Sequence, residues 1–105
     1  MGVNLVYITA GSKEEAAKIG GELVQSGLAA CVNIIDHMSS IYMWEGKLQQ
    51  DSEVVMIAKT MEQCVPALID KVKSIHSYDC PCVVCLPVTQ GHQPFLDWIA
   101  QSVGG

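Results

Sequence analysis

Residues Ser40–Thr60 read SIYMWEGKLQQDSEVVMIAKT. Ser40, Tyr42 and Trp44 alternate with Ile41 and Met43, and Val54, Val55, Met56 and Ile57 resume the apolar character almost without alternation. Period-two spacing of aromatic and β-branched residues marks strands. Glu45-Gly46-Lys47 and Gln49-Gln50-Asp51-Ser52 interrupt the pattern, so the segment reads as two long strands joined by a polar turn. A hairpin of this length exceeds what a small domain needs to close its own core. The excess points to another chain as its partner.

Upstream, Val3–Thr9 is a short apolar run of the kind buried on both faces of a sheet. Ser12-Lys13-Glu14-Glu15 has the form of a capping box: the Ser12 hydroxyl accepts from the Glu15 amide and Glu15 reaches back. Ala16, Ile19, Leu23 and Val24 then mark one face of a helix. Gly20-Gly21 within it costs about 1 kcal/mol each relative to Ala, which close approach to a sheet would offset. Gly27 suits a left-handed helix end. Leu28–Asp36 forms a second strand, with Ala30, Val32 and Ile34 on one face and Cys31, Asn33 and Ile35 on the other. Asp36–Ser39 reads as a bulge leading into the hairpin.

Downstream, a helix starts near Cys64 with Pro66 in its first turn, carries the stripe Val65, Leu68, Ile69, Val72 and Ile75, and ends near His76. Cys80–Val88 is a strand apolar on both faces. Pro94 opens a last helix with Leu96, Ile99 and Val103 inward, and Gly104-Gly105 is a frayed end. The order strand, helix, strand, strand, helix, strand, helix predicts an α+β fold, the ferredoxin-like split β-α-β sandwich with a long hairpin and an extra C-terminal helix. Its helices cover one sheet face. The other face is also apolar, and self-association into a closed oligomer is the economical way to bury it.

At 105 residues the chain is expected to form a single domain, 1–105. Only 16% of residues are charged, against about 25% in a typical domain, so either the core is large for the length or apolar surface is buried against partners. The net charge is −5 and no basic run exists, which argues against nucleic acid. The longest apolar stretch, Cys80–Val88, falls well short of the ~18 residues a membrane span needs. No signal-peptide pattern opens the chain, and five cysteines are an odd number for a disulfide framework. A cytoplasmic location is therefore expected.

Cys31-Val32-Asn33-Ile34, Ser40–Leu48, Glu53-Val54 through Lys59-Thr60, His76-Ser77-Tyr78 before Pro81, Leu86-Pro87-Val88, Gly91 and Phe95–Ile99 occur in an order and spacing that resembles the CutA-type divalent-cation tolerance proteins. The resemblance covers nearly the whole chain. It implies a ferredoxin-like fold assembled as a homotrimer, architectural similarity to the PII signalling proteins, and a role in tolerance of copper and other divalent ions. Some members carry a Cys at the end of the first strand and a His-His pair before Pro-Tyr. Here those positions read Ile8 and Ile75-His76, with Ser77 in place of Pro, so of that set only His76 survives.

Cys80-Pro81-Cys82 offers soft thiolates for copper or another divalent metal ion. On a strand, Cys80 and Cys82 would share a face and Cys85 would oppose them. The alternative is that the thiols simply pack inside a buried strand. His76, between a helix and a strand, is expected on a rim, as a metal ligand or a solvated helix end. Trp44, Lys47, Glu53 and Lys59 along the hairpin form a candidate ligand cleft in which Lys59 and Glu53 fix a polar ligand against an aromatic wall, or else they are interface packing. No nucleophile, Walker or dinucleotide motif appears, and no organic cofactor is evident, so no enzymatic activity is expected. The leading expectation is a trimeric protein of metal tolerance that binds copper or a related ion weakly. The alternatives are a PII-like sensor of a small anionic or nucleotide effector held between subunits, and a thiol metallochaperone.

Overall fold

The computed structural model describes residues 2–104. The chain runs β1 (Val3–Ala10), α1 (Lys13–Gln25), β2 (Cys31–Trp44), β3 (Lys47–Met61), a single 3-10 turn (Glu62–Cys64), α2 (Val65–Ile75), β4 (Val83–Pro87) and α3 (Gln93–Ser102). The sheet order is β2-β3-β1-β4 and every neighbouring pair is antiparallel. This is the split β-α-β arrangement, with β1 and β3 at the centre and α1 and α2 on one face.

That face holds the main core. Val6, Ile8 and Ala10 of β1 and Val54, Met56 and Ala58 of β3 meet Ala16, Ile19 and Leu23 of α1 and Leu68 and Val72 of α2. Gly20 faces the sheet, where an added Cβ would stand 3.4 Å from Val32, an ordinary contact distance, so the approach is close without demanding glycine. Gly21 faces open space. Ser12 caps α1 by accepting from the Glu15 N–H at 3.1 Å, and Gly27 ends the helix region at φ 74°. Glu15 reaches back one residue further than a capping box requires. Its Oε1 accepts from Gly11 N–H at 3.3 Å, and its Oε2 accepts from the distant Ser77 N–H at 2.7 Å.

The hairpin is the longest part of the sheet, with 14 residues in β2 and 15 in β3. Gln49–Ser52 belong to the strand rather than to the turn. The turn is Glu45-Gly46 alone, at φ 50° and 76°, the two left-handed residues that a tight two-residue hairpin loop needs. A bulge between Ile35 and Met38, with His37 at φ 63°, keeps Met38, Ser40, Tyr42 and Trp44 on the side opposite the helices. The arm stretches the molecule to 45 × 26 × 22 Å and its radius of gyration to 14.3 Å, against about 13 Å for a compact domain of this length.

The second sheet face is covered only at one end. There α3 packs Ile99, Leu96 and Val103 on Val3, Ala30 and Met61. The rest is open: Ile35 is 52%, Val84 52% and Leu86 58% exposed. On the arm, Ile41, Met43, Trp44 and Leu48 are each more than 60% exposed. The expected strand Cys80–Val88 is shorter than its apolar run. Pairing starts at Val83 opposite Ile8 and ends at Pro87 opposite Asn4. Pro81 has no N–H to place in a ladder, and apolar character does not mark where hydrogen bonding begins. β4 is also not buried on both faces: Val83 and Cys85 pack on the core, while Val84 and Leu86 face outward. Of the expected frayed end, Gly104 donates its N–H to Gly27 O at 2.9 Å, and Gly105 lies outside the described residues.

Candidate functional site

A cleft of about 770 Å³ lies where the arm passes the loop between α2 and β4. One wall is the arm, through Tyr42, Trp44, Gln49, Asp51, Ser52 and Glu53. The other is the loop, through Tyr78, Asp79, Cys80 and Cys82, with Thr9 and Gly11 between. Antiparallel register explains the arm's contribution. Tyr42 pairs with Gln49 and Ser40 with Asp51, and the bulge sets their side chains on the face away from the helices.

Glu53 joins the two walls. Its Oε1 accepts from the Ser40 hydroxyl at 2.6 Å and its Oε2 from the Tyr78 hydroxyl at 3.0 Å. Tyr42 donates to Asp51 in the same way. Burial, and after it the hydrogen bond to Glu53, pushes the Tyr78 phenol up to about 12. In an absorbance titration at the phenolate band, the parent protein is therefore expected to show an ionisation step near pH 12 that Tyr78→Phe lacks.

Of the hairpin residues expected to share a site, Trp44 and Glu53 line the cleft, while Lys47 and Lys59 do not. Lys47 sits at the tip beside the turn, paired with Trp44. Lys59 donates to Asn33 Oδ1 at the far end of β3, with Nζ 5.9 Å from the centre of the Phe95 ring. Six residues of strand separate Lys59 from Glu53, roughly 20 Å, so those two side chains cannot grip one small ligand. The cleft thus has no lysine, arginine or histidine among its lining residues. An anionic effector would meet Asp51, Glu53 and Asp79 with no opposite charge from this chain.

His76 is not on a rim. Its side chain is fully buried. Nε2 lies 2.7 Å from the Thr9 carbonyl, so it carries the proton, and Nδ1 accepts from the Tyr78 N–H at 3.0 Å. Both nitrogens are engaged, and neither is presented to an ion. The ring instead supports the cleft: it packs on the Tyr78 ring at 4.6 Å and fixes that residue's backbone. Glu15 braces the same loop through Ser77. Burial raises the Glu15 carboxyl, but the Ser77 hydroxyl and N–H, the Gly11 N–H and His76 outweigh it and hold the carboxyl below its usual range. A depressed carboxyl stabilises the fold above its unfolded-state pKa, and that contribution fades as pH falls through the folded value. Glu15→Gln is thus expected to lower the melting temperature at pH 7 and to weaken the loss of stability on acidification below about pH 4.5.

Cys80 and Cys82 do come together on the cleft, although through the loop rather than by strand alternation, and Cys85 lies apart on the core side. Burial, then Glu53, raises the Cys82 thiol, which disfavours the thiolate a metal requires. Among the described residues, no three His, Cys, Asp or Glu side chains stand together as a metal-holding group. The donor set of a single chain therefore does not fit a built metal centre.

Tyr78, Asp51 and Glu15 form the part of the site that sequence reasoning did not assign, and His76, expected there as a rim residue or metal ligand, serves instead as a brace. For Tyr78 the signal in the sequence was the His76-Ser77-Tyr78 run.

The family model for CutA1 divalent ion tolerance protein matches residues 4–102. The chain belongs to the CutA1 family. It is 44% identical over 99 residues to human protein CutA, covering 94% of this chain and 55% of the human protein, so it spans about half the length of that relative. The solved divalent cation tolerance protein of Thermus thermophilus superposes with a TM-score of 0.95 at 39% identity, covering 97% of this chain and 99% of that one. The solved CutA of Archaeoglobus fulgidus, described as a periplasmic divalent cation tolerance protein, gives 0.92 at 43% identity, covering 95% and 97%. CutA1 relatives are thus named for tolerance of divalent cations, and the α+β architecture found here is theirs.

Proposed function

We propose that this chain acts in tolerance of divalent metal ions as a homotrimer of PII-like architecture, with the arms as the trimer-building elements. The observation that carries the assembly is the open sheet face together with the arm. Ile35, Val84 and Leu86 on the face and Ile41, Met43, Trp44 and Leu48 on the arm are exposed apolar side chains of one small chain, more than an isolated subunit normally leaves to water. An arm that extends beyond its own core offers a second copy a paired surface, and a closed ring buries both at once. The cleft, open on one side in the single chain, then lies near a seam between subunits.

Metal engagement is weak in this reading. A single subunit offers Cys80 and Cys82 as soft donors for copper or a related ion, without a third ligand among the described residues placed to complete the set. The five thiols stand free, which favours a reducing compartment, the cytoplasm. Metal titration of the reduced protein followed by native mass spectrometry tests the proposal. The expected result is a species of three 11.3-kDa chains that loses added copper on mild desalting. A monomer at micromolar concentration overturns the assembly. Copper retained stoichiometrically after Cys80→Ser with Cys82→Ser overturns the thiol site.

A further inference from the structure

We propose, resting on the assembly described above, that the cleft between the arm and the Tyr78 loop is the socket for the hairpin tip of a second copy of this chain, with Lys47 of that copy set against Asp51 and Asp79.

Charge favours this contact from both sides. The cleft lining holds Asp51, Glu53 and Asp79 and no lysine, arginine or histidine. Glu53 is committed within the chain, since both its oxygens accept hydrogen bonds. Among the described residues the Asp51 side chain has only the Tyr42 hydroxyl as a partner, and the Asp79 side chain has none. The sequence has six lysines and no arginine. Lys13, Lys18, Lys71 and Lys73 lie on α1 and α2, on the opposite face of the sheet, and Lys59 donates to Asn33. That leaves Lys47, exposed at the arm tip and without a carboxylate partner among the described residues.

Shape and apolar surface agree with the charges. The cleft holds about 770 Å³. The tip is a narrow two-stranded ribbon closed by the two-residue turn Glu45-Gly46. Met43 and Leu48 pair across the ribbon just before the turn, and both leave most of their surface to water in the single chain. Inserted, they meet the Tyr42 and Trp44 rings that line the socket, so the exposed indole is covered by the same contact. The tip also carries Glu45, but in the turn itself. Lys47 lies directly opposite Trp44 in the ladder, and the two therefore share a face of the ribbon.

The contact also explains why association stops at a ring. Tip and socket are different patches of one chain, so the interface is heterologous and repeats head to tail until it closes. An isologous contact would stop at a dimer. In a closed ring every socket is filled and every tip is used.

Lys47→Cys places a thiol on the tip, to face the Cys80 and Cys82 thiols of the socket. The variant is treated with oxidised glutathione, which accepts the electrons as each disulfide forms, and is resolved by non-reducing electrophoresis with mass mapping. The expected result is chains linked in twos and threes between the introduced thiol and Cys80 or Cys82 of the next copy. Adding Cys80→Ser and Cys82→Ser should abolish the linkage. Linkage only through Cys31, Cys64 or Cys85, or no linkage in a variant that light scattering shows to be trimeric, overturns the docking and leaves the assembly standing. A charge reversal reads the same contact without new thiols. Asp51→Lys with Asp79→Lys, both at exposed positions, is expected to speed subunit exchange between isotope-labelled and unlabelled trimers at least about ten-fold. Adding Lys47→Asp should bring the rate back to within about three-fold of the parent. Exchange unaffected by the reversal, or not corrected by Lys47→Asp, would overturn the pairing. A parent protein that is monomeric removes the assembly and this contact together.

Discussion

Ile35→Asp combined with Leu86→Asp is expected to turn the proposed trimer into a monomer in light scattering at micromolar concentration. The two residues lie on the opposite edge strands of the sheet, β2 and β4, and both point away from the helices. In the single subunit they are 52% and 58% exposed, so each substitution costs the isolated fold little. In the assembly each buried side chain contributes about 1.5–3 kcal/mol, and a buried unpaired carboxylate costs several kcal/mol more. A combined loss of roughly 4 kcal/mol or more per subunit weakens association about a thousand-fold. Circular dichroism on the same sample should show the helix and strand signal retained. A double variant that stays trimeric would remove the open sheet face from the interface and leave the arm to carry the assembly by itself.

His76→Ala is expected to have the largest effect of any single substitution in the site region, lowering stability by about 3 kcal/mol. Its side chain is fully buried, so removal leaves a cavity. It also strands the Thr9 carbonyl and the Tyr78 N–H, each of which has the imidazole as a partner. For a chain of this length 1 kcal/mol corresponds to about 4–8 °C, so thermal unfolding should come down by more than ten degrees. A second signature separates this from generic damage. Tyr78 loses the support of its backbone and ring, and its phenol, held at about 12 in the parent, should return toward the ordinary tyrosine range. The opposite pattern, retained stability with lost metal affinity, would mark His76 as a ligand instead.

These two expectations draw on different kinds of information. The open face behind the first was legible from the residues. Leu5 and Tyr7, Val55 and Ile57, and Val84 and Leu86 are the outward set of strands whose alternate residues are also apolar. A sheet with helices on one side must leave such a set uncovered, and the third helix is too short to hide it. The structure confirms that α3 reaches only the Val3–Met61 end. The His76 expectation was not legible. A histidine after a helix and before a turn carries no mark of burial, because its partners are a carbonyl on β1 and an amide two residues ahead.

The cleft lies between these cases. Trp44, Glu53 and the loop thiols could be nominated from residue type, but a strand pattern fixes only which face a side chain takes. It does not say what passes over that face. Lys59 and Glu53 share a face of β3 and still serve opposite ends of the molecule, since extended chain advances about 3.3 Å per residue. Tyr78 reaches Glu53 across 25 residues of sequence only because Glu15 and His76 hold its loop against β1.

Local periodicity and caps were thus enough to determine the elements, their order and the unmatched apolar face of Ser40–Thr60 and its neighbours. They act over one or two turns, within the reach of i, i+2 and i, i+4 neighbours. The start of β4, the burial of His76 and the acidic, aromatic character of the cleft were decided by the tertiary structure. Each depends on a hydrogen bond, strand pairing or approach of side chains between segments far apart in the chain, and such long-range partners leave no periodic trace in the residues that make them.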